Sequence, residues 1–447
     1  MKKIIARFEA LFKGVAFDCH ACGQCVLSQT GIICPMSCPK GLRNGPCGGT
    51  VEGMCEVYPD KQCVWIRIHK RTAKDSLELP ILLPTPDNSL MHTSSYINWL
   101  RGHDKYGRTP VSYMDLGADR TRQAPQTESL LETKLKSGEF VRTCEIHSPR
   151  DGNLDGVRRL AGVLGPHFDA INASAFLNGK PSLPSPRVAA ELKRLGIDAI
   201  SQSTCRDHTK TTFVSEIIHN HANSVENILC LTGDSYATLP KIQQVWDMDS
   251  SLMIFEARYL RETGQVHFTG EKVKTWPRPF IGGAINPFTQ PENIPIRRLK
   301  QKAAAGADFI QTQMIFDLGV FRSFMKSACD EGLDDDLFIL AGVPVATSKT
   351  ASQFIPKIPG VHCPQETLDR LARATDPQQE GLAMATELIS ELREIKGVSG
   401  IHLMLLGPDH TVLPQLVGNL PRSSSTGNLK SKRAASVVTL ADRRPQT

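Results

Sequence analysis

The chain has 447 residues, enough for one large domain with a small one, or for two to three ordinary domains. An apolar content of 40% is typical of a globular protein, and no run of about 18 apolar residues predicts a membrane span. The net charge of +6 is spread along the chain, so we expect no nucleic-acid partner. The first residues lack the continuous apolar core of a signal peptide, which predicts a cytoplasmic protein.

Cysteines are concentrated near the start of the chain. Eight of the 13 lie between residues 19 and 63, at Cys19, Cys22, Cys25, Cys34, Cys38, Cys47, Cys55 and Cys63. The surrounding segment is rich in Gly and Pro and has few periodic apolar residues, so it cannot build an ordinary hydrophobic core. It needs a cross-link such as a bound metal to stabilise its fold. In a reducing compartment, clustered cysteines favour a metal over disulfides.

Two kinds of metal site remain open. The spacing C-x2-C-x2-C followed by Cys-Pro is similar to the ferredoxin pattern, although the step from Cys25 to Cys38 is longer than usual. Eight thiolates are the complement of two [4Fe–4S] clusters, which we favour. Zinc is the alternative, because four-cysteine zinc sites also close small loops and C-x2-C is a common half-site.

The chain divides into four parts. Residues 1–70 are predicted to form a small Cys-rich metal-binding domain, which begins with an amphipathic helix bearing Ile4, Ile5 and Phe8 on one face. We expect that helix to pack on its own domain or on a partner rather than on a membrane surface. Residues 71–126 are a connector, residues 127–418 a larger domain, and residues 419–447 a disordered basic tail.

The larger domain alternates strands with helices. Its predicted strands are FVRTCEI, FDAINAS, IDAISQST, VENILCLTGD, FIGGAIN, ADFIQTQ, DLFILAGV and VSGIHLMLLG. Eight such strands in roughly 290 residues predict the α/β fold class and a (β/α)8 TIM barrel. A doubly wound open sheet is the alternative, but no GxGxxG follows the first strand.

Polar residues follow the predicted strands, where barrel enzymes carry their chemistry. Glu145 ends the first strand, and a carboxylate in a largely apolar cavity can donate a proton near neutrality. Asp234 follows the fourth strand, where it could bind a ligand or cap the next helix; both readings stay open. His402, on the eighth strand, is expected to be a core residue.

Two groups of motifs resemble one enzyme family. The motifs STCRD…ENILCLTGD, GGAINPF and AAAGADFIQTQMIFD, within residues 127–415, resemble the flavin-dependent methylenetetrahydrofolate reductase barrel. The run CPKGLRNGPCGG, followed by CEV and CVW, resembles the small iron–sulfur or zinc subunit domain that accompanies this reductase in acetogen-type enzymes. Here the two are expected to be fused in one chain.

The resemblance implies roles for individual residues. Glu145 matches the general acid, Asp234 the carboxylate beside flavin and pterin, and Gln313 the amide that binds the pterin. The implied cofactor-binding residues are Ser174, Gln202, Thr232, Gly233, Asn286 and Lys302. Gln202 stands where many members have a histidine, and the residues before Lys302 match poorly where an adenine dinucleotide would bind. FAD and FMN therefore both remain open.

The implied function is a flavin enzyme that interconverts 5,10-methylenetetrahydrofolate and 5-methyltetrahydrofolate, with electrons exchanged through N-terminal iron–sulfur clusters. The expected partners are a folate substrate and a ferredoxin-like or other redox protein, with NADH as an additional or alternative one, in an oligomer. Two alternatives remain: a folate- or corrinoid-linked methyltransferase with a structural zinc domain, and a non-catalytic subunit of a larger complex.

Overall fold

The computed structural model describes residues 2–84, 86–103, 127–174, 176, 179–236, 242–418 and 420. Within them, eight parallel strands form a closed barrel in chain order, with β1 paired to both β2 and β8. The strands are β1 Val141–His147, β2 Ala170–Ser174, β3 Ala199–Thr204, β4 Asn227–Leu231, β5 Phe280–Ile285, β6 Phe309–Met314, β7 Phe338–Ala346 and β8 Val398–Leu406. The predicted (β/α)8 TIM barrel is confirmed.

The helices of the described residues surround this barrel or precede it. They are α1 Lys2–Phe17, α2 Val64–Lys74, α3 Ser95–Leu100, α4 Leu130–Lys136, α5 Asp155–Leu164, α6 Ser185–Arg194, α7 Lys210–Ala222, α8 Ser250–Thr263, α9 Asn293–Ala305, α10 Leu318–Asp330, α11 Leu333–Asp336, α12 Ala351–Phe354, α13 Gln365–Arg373, α14 Pro377–Arg393 and α15 Leu413–Val417. No helix in these ranges is long and apolar enough to cross a membrane.

The segment between β7 and β8 differs most from its prediction. The sequence predicts one helix from Leu382, whereas α14 already begins at Pro377 and two further helices, α12 and α13, precede it. Helix α13 has nine residues and fully buries only Leu371, with Leu368 partly buried beside it, so its apolar face is too short to indicate a helix by itself. The start of α14 is fixed by Asp376, whose side chain accepts hydrogen bonds from the amides of Gln378 and Gln379.

The N-terminal end of the barrel is closed by α4. Leu131 and Leu135 of this helix pack against a cluster formed by residues inside the barrel, among them Phe280 and Phe309, whose rings stack at 5.1 Å. The amide of Leu131 also donates a hydrogen bond to Asp198, at 2.9 Å. Because apolar side chains fill this end in the described part of the chain, we expect a ligand to enter at the C-terminal end.

The cysteine-rich segment packs on the barrel through a second apolar cluster. Trp65, Ile66 and Ile68 of α2 are buried with Ile294 of α9. The indole of Trp65 lies so close to Gly45 that a Cβ there would stand 2.1 Å from the ring. This segment therefore folds against the barrel rather than apart from it.

Helix α1 does not pack on its own domain through its apolar face, so that part of the prediction is wrong. Phe8 and Leu11 are 72% and 69% exposed. The opposite, polar face makes the contacts instead: Glu9 accepts hydrogen bonds from Ser94 and Ser95, and Lys13 donates to Ser95. Residues 104–126 of the connector, and all of the predicted tail except residue 420, lie outside the described residues.

The packing of α4 over the N-terminal end of the barrel can be tested by its effect on stability. Leu131→Ala, at a side chain that is fully buried, should lower the free energy of unfolding by about 2–5 kcal/mol because it leaves a cavity under the barrel. Leu130→Ala is the matched control, because the Leu130 side chain, next to Leu131 in the same helix, is 53% exposed. We expect its free energy of unfolding to change by no more than about 0.5 kcal/mol. Chemical denaturation of both variants measures the difference, and equal losses would contradict the role given to α4.

Candidate active site

Glu145 lies at the open end of the barrel and is held by Gln202, another predicted site residue. It stands on β1 beside Asn172 of β2, and its Oε2 accepts a hydrogen bond of 2.7 Å from Gln202 Nε2. Nδ1 of His147 lies 3.9 Å from its Oε1 and 2.9 Å from Ser174 Oγ. The structure thus brings Glu145, Gln202 and Ser174 together, with one carboxylate oxygen facing a histidine.

His147 and His410 complete this group, although the sequence did not assign either a role. The two rings meet edge to face, with centroids 6.4 Å apart, and His410 forms a hydrogen bond to the backbone of Glu145. Burial lowers the pKa of His410, and the nearby His147 lowers it further. Two histidines therefore flank Glu145, one on its own strand and one from the segment after β8.

Two buried, hydrogen-bonded polar pairs lie on the barrel strands near Glu145. The amides of Asn172 and Gln311 bond to each other, at 2.8 Å and 3.2 Å. His402 Nδ1 lies 2.9 Å from Thr143 Oγ1, and burial lowers the pKa of His402 to about 4. His402 is thus the satisfied core residue that the sequence predicts.

A second group surrounds Lys302 on α9. Lys302 Nζ donates to Ser250 Oγ at 2.9 Å, and Thr232 Oγ1 donates to the same hydroxyl at 3.3 Å. Lys302 is only 3% exposed, and burial, followed by the charge of Arg298, lowers its pKa to about 7. Two predicted cofactor-binding residues, Thr232 and Lys302, are therefore brought together through a serine.

This second group lines a small cavity of about 50 Å³. Its wall includes Lys302, Arg298 and Thr232, together with residues 46–48 of the cysteine-rich segment. Arg298 is also buried, and burial lowers its pKa. Two buried cations beside hydroxyl donors suit an anion such as a phosphate, so the donor set fits the phosphate end of a flavin nucleotide. The volume is too small for the flavin ring itself.

Asn286 and Gln313 contact mainly protein. Asn286 Nδ2 donates to the carbonyls of Gly48 and Gly360, at 2.6 Å and 2.7 Å, so both amide hydrogens hold the structure together. Gln313 Nε2 donates to the carbonyl of Pro359 at 3.4 Å, and its Oε1 accepts from the Met314 amide. These side chains lie at the open end, and neither is hydrogen-bonded to Glu145.

Asp234 occupies a tight turn after β4. Gly233 before it has φ +84°, and a Cβ there would meet Arg206 Cβ at 3.1 Å, so glycine suits the position. The alternative that Asp234 caps the next helix is not seen, because Asp249 caps α8. Among the described residues, no hydrogen bond is donated to the Asp234 carboxylate. The Asp234 side chain is exposed to solvent beside the charges of Glu56, Lys40 and Arg206.

The eight clustered thiols fall into two sets. Cys34 donates a hydrogen bond to Cys19, and Cys19, Cys22 and Cys25 line one cavity beside α1. The second set interacts electrostatically and consists of Cys38, Cys47, Cys55 and Cys63. Burial raises the pKa of Cys38 and of Cys63 to about 12.

Each set has the number of thiols that a four-thiolate site requires. In the ranges the structure describes, however, no three His, Cys, Asp or Glu side chains are arranged to hold a metal ion. The sequence predicts eight thiolate ligands, the structure divides them into these two sets, and metal binding by either set stays a prediction.

Comparison with known proteins decides the family. A family model described as methylenetetrahydrofolate reductase matches residues 131–417, well over half of the chain. This chain belongs to the methylenetetrahydrofolate reductase family. A second model, described as the C-terminal part of methylene-tetrahydrofolate reductase, matches residues 1–81, which include all eight clustered cysteines. The family predicted from the barrel motifs is confirmed.

Three curated relatives agree with this assignment. The chain is 23% identical over 241 residues to a probable methylenetetrahydrofolate reductase (NADPH) of Caenorhabditis elegans. It is 24% identical over 280 residues to methylenetetrahydrofolate reductase 2 of Saccharomyces cerevisiae, and 25% over 256 residues to methylenetetrahydrofolate reductase 1 of Schizosaccharomyces pombe. The matches cover 52%, 60% and 54% of this chain, but only 34%, 44% and 40% of those relatives.

The buried Lys302 predicts a pH-dependent stability. Its pKa of about 7 in the folded chain lies below its ordinary value of 10.5, so between these values the unfolded chain binds more protons and stability rises with pH. Lys302→Met removes this charge. In flavin-free protein, we expect the free energy of unfolding of the variant minus that of the wild type to be largest near pH 7 and to shrink toward pH 10.

Denaturant titrations at several pH values measure this difference. Lys300→Met, at a half-exposed lysine of the same helix, is the control. A Lys302→Met difference that stays constant or grows with pH would show that the lysine is not held in an unfavourable charged state.

Proposed function

We propose that this protein is a flavin-dependent oxidoreductase that interconverts 5,10-methylenetetrahydrofolate and 5-methyltetrahydrofolate. The observation that carries the proposal is the position of Glu145, fixed by Gln202 at the open end of a barrel of this family. One oxygen of the carboxyl group accepts the hydrogen bond of Gln202, and the other, which lies 3.9 Å from His147 Nδ1, is the one assigned to the proton that passes to the substrate. The folate is accordingly the proposed substrate.

In the reducing direction, the Glu145 carboxyl gives its proton to the folate nitrogen that leaves the methylene bridge. The carbon–nitrogen bond then breaks, its electron pair stays on that nitrogen, and the methylene carbon becomes an electrophilic iminium. Bound flavin supplies the hydride that this carbon accepts. Asp234 and Gln313 hold the pterin by hydrogen bonds, which orients the carbon for the transfer.

The flavin would be held by Ser174, Gln202, Thr232, Gly233, Asn286 and Lys302. Lys302 and Arg298 supply the positive charge for a phosphate, and the hydroxyls of Thr232 and Ser250 supply donors next to it. Asn286 acts mainly by fixing the cavity wall, because its amide hydrogens are bonded to backbone carbonyls. The cofactor is FAD or FMN.

The two thiol sets are proposed to hold two [4Fe–4S] clusters, one for each set of four cysteines. Such clusters exchange single electrons, which would link a two-electron flavin to a ferredoxin-like protein or another redox partner, alongside or instead of NADH. The second set supports this route, since Cys47 lines the same cavity as Lys302 and Thr232. A cytoplasmic location, an oligomer and the acetogen-type fusion belong to the same proposal.

Glu145→Gln tests the proton donor. The amide keeps the size of the side chain but cannot donate an acidic proton, so folate turnover should fall roughly 10²–10⁴-fold while flavin stays bound. Glu394→Gln, at an exposed position at the end of α14, should retain full turnover. Steady-state rates and the flavin spectrum of both variants give the answer. Unchanged turnover in Glu145→Gln would remove Glu145 from the mechanism.

The metal of the thiol sets is tested by anaerobic purification followed by iron and zinc analysis. The wild type should contain iron in excess of zinc, and Cys34→Ser and Cys63→Ser should each lose about half of the iron, because each belongs to a different set. Zinc without iron would contradict the electron route. Zinc without flavin would favour the methyltransferase alternative.

A further inference from the structure

Two charged residues of the cysteine-rich segment reach the turn that carries Asp234. Lys40 Nζ donates to the carbonyl of Gly233 at 2.9 Å, and Glu56 Oε1 accepts a hydrogen bond of 2.9 Å from the Ser235 amide. The two side chains also form an ion pair with each other and are only 3% and 5% exposed. They therefore hold the backbone on both sides of Asp234.

The barrel holds the same turn from its own side. Arg206 Nη1 donates to the carbonyl of Asp234 at 3.0 Å, and its guanidinium stacks on the ring of Tyr236 at 4.0 Å. Three side chains thus fix the backbone of three consecutive residues. This leaves the Asp234 carboxylate, which receives no hydrogen bond from the described residues, available to a ligand.

We propose that Lys40 and Glu56 are positioning residues for the Gly233–Ser235 turn, so that the cysteine-rich segment is a structural part of the folate site. This inference rests on the proposed function only for the role of Asp234. Lys40 and Glu56 touch the turn rather than the substrate, and they act through the backbone of the turn. Their ion pair is buried, so removing either partner leaves the other charge without its counter-ion.

The position of the pair ties it to the second thiol set. Lys40 lies two residues after Cys38, Glu56 directly follows Cys55, and Cys47 Sγ donates to Glu56 Oε2 at 3.8 Å. A side chain at Gly49 would collide with Glu56, because a Cβ there would lie 1.5 Å from Oε2. The carboxylate is therefore fixed in place by the loop that the second thiol set organises.

Lys40→Met and Glu56→Gln test the proposal in the full-length protein with its bound groups. Hydrogen exchange of the peptide that contains residues 232–236 should become about tenfold faster or more in each variant, because the Ser235 amide or its support is released. Exchange of residues 227–231 in β4 should stay unchanged, which shows that the barrel remains folded. Lys61→Met and Glu52→Gln, two exposed positions of the same segment, should exchange as the wild type does.

Kinetics separate a positioning role from a merely structural one. We expect kcat/KM for the folate to fall about tenfold in each variant, and the double variant to lose no more than the worse single one, because the two residues act as a unit. Unchanged exchange at residues 232–236 in both variants would show that Lys40 and Glu56 do not hold the Gly233–Ser235 turn. That conclusion would stand even if the wild type proved to have no reductase activity. Faster exchange with an unchanged kcat/KM would overturn the positioning of Asp234.

Discussion

The hydrogen bonds accepted by the buried carboxylate of Asp249 are the interactions on which the candidate site depends most. Its Oδ1 caps α8 by accepting the amides of Ser251 and Leu252, and its Oδ2 accepts both the amide and the side chain of Asn44. Burial raises the pKa of Asp249, while Arg298 and these donors favour the ionised form. One carboxylate therefore joins the cysteine-rich segment to the helix that follows the Gly233–Ser235 turn.

The hydrogen bonds of Asp249 also help to position the residues around Lys302 and the wall of their cavity. The cap fixes the start of α8, and Ser250 at that start receives hydrogen bonds from Lys302 and Thr232. Asn44 also bonds to Leu83, at 2.7 Å and 2.6 Å, so the chain after α2 is held as well. With Asn286 bound to Gly48, the cysteine-rich segment forms part of the wall of the anion cavity. The open end of this barrel is thus built from two sequence regions.

The sequence predicts the barrel well, and with it the closeness of Gln202 to Glu145, whereas the two histidines beside Glu145 are not predicted. Alternating apolar strands predict the order of elements, and polar residues at strand ends gather at one face of a closed parallel barrel. Gln202 and Ser174 therefore meet Glu145 as their positions in the fold require. The grouping of the thiols into two sets of four is also consistent with their number.

Long-range contacts could not be predicted in the same way. Lys40 and Glu56 lie among cysteines and glycines, and nothing local indicates that they are buried against a loop almost 200 residues later. His410 follows the last strand without a recognisable motif, and its contact with Glu145 exists only because the barrel closes. The outward apolar face of α1 is equally invisible to periodicity, which identifies a face but not its direction.

Hydride transfer between flavin and folate on this chain itself is the step that most needs a direct test. In an anaerobic rapid-mixing experiment, flavin-reduced protein is mixed with 5,10-methylenetetrahydrofolate and the flavin absorbance at about 450 nm is followed. We expect reoxidation of the flavin in a single turnover, with one equivalent of 5-methyltetrahydrofolate formed. Flavin that stays reduced in the presence of saturating folate would contradict it.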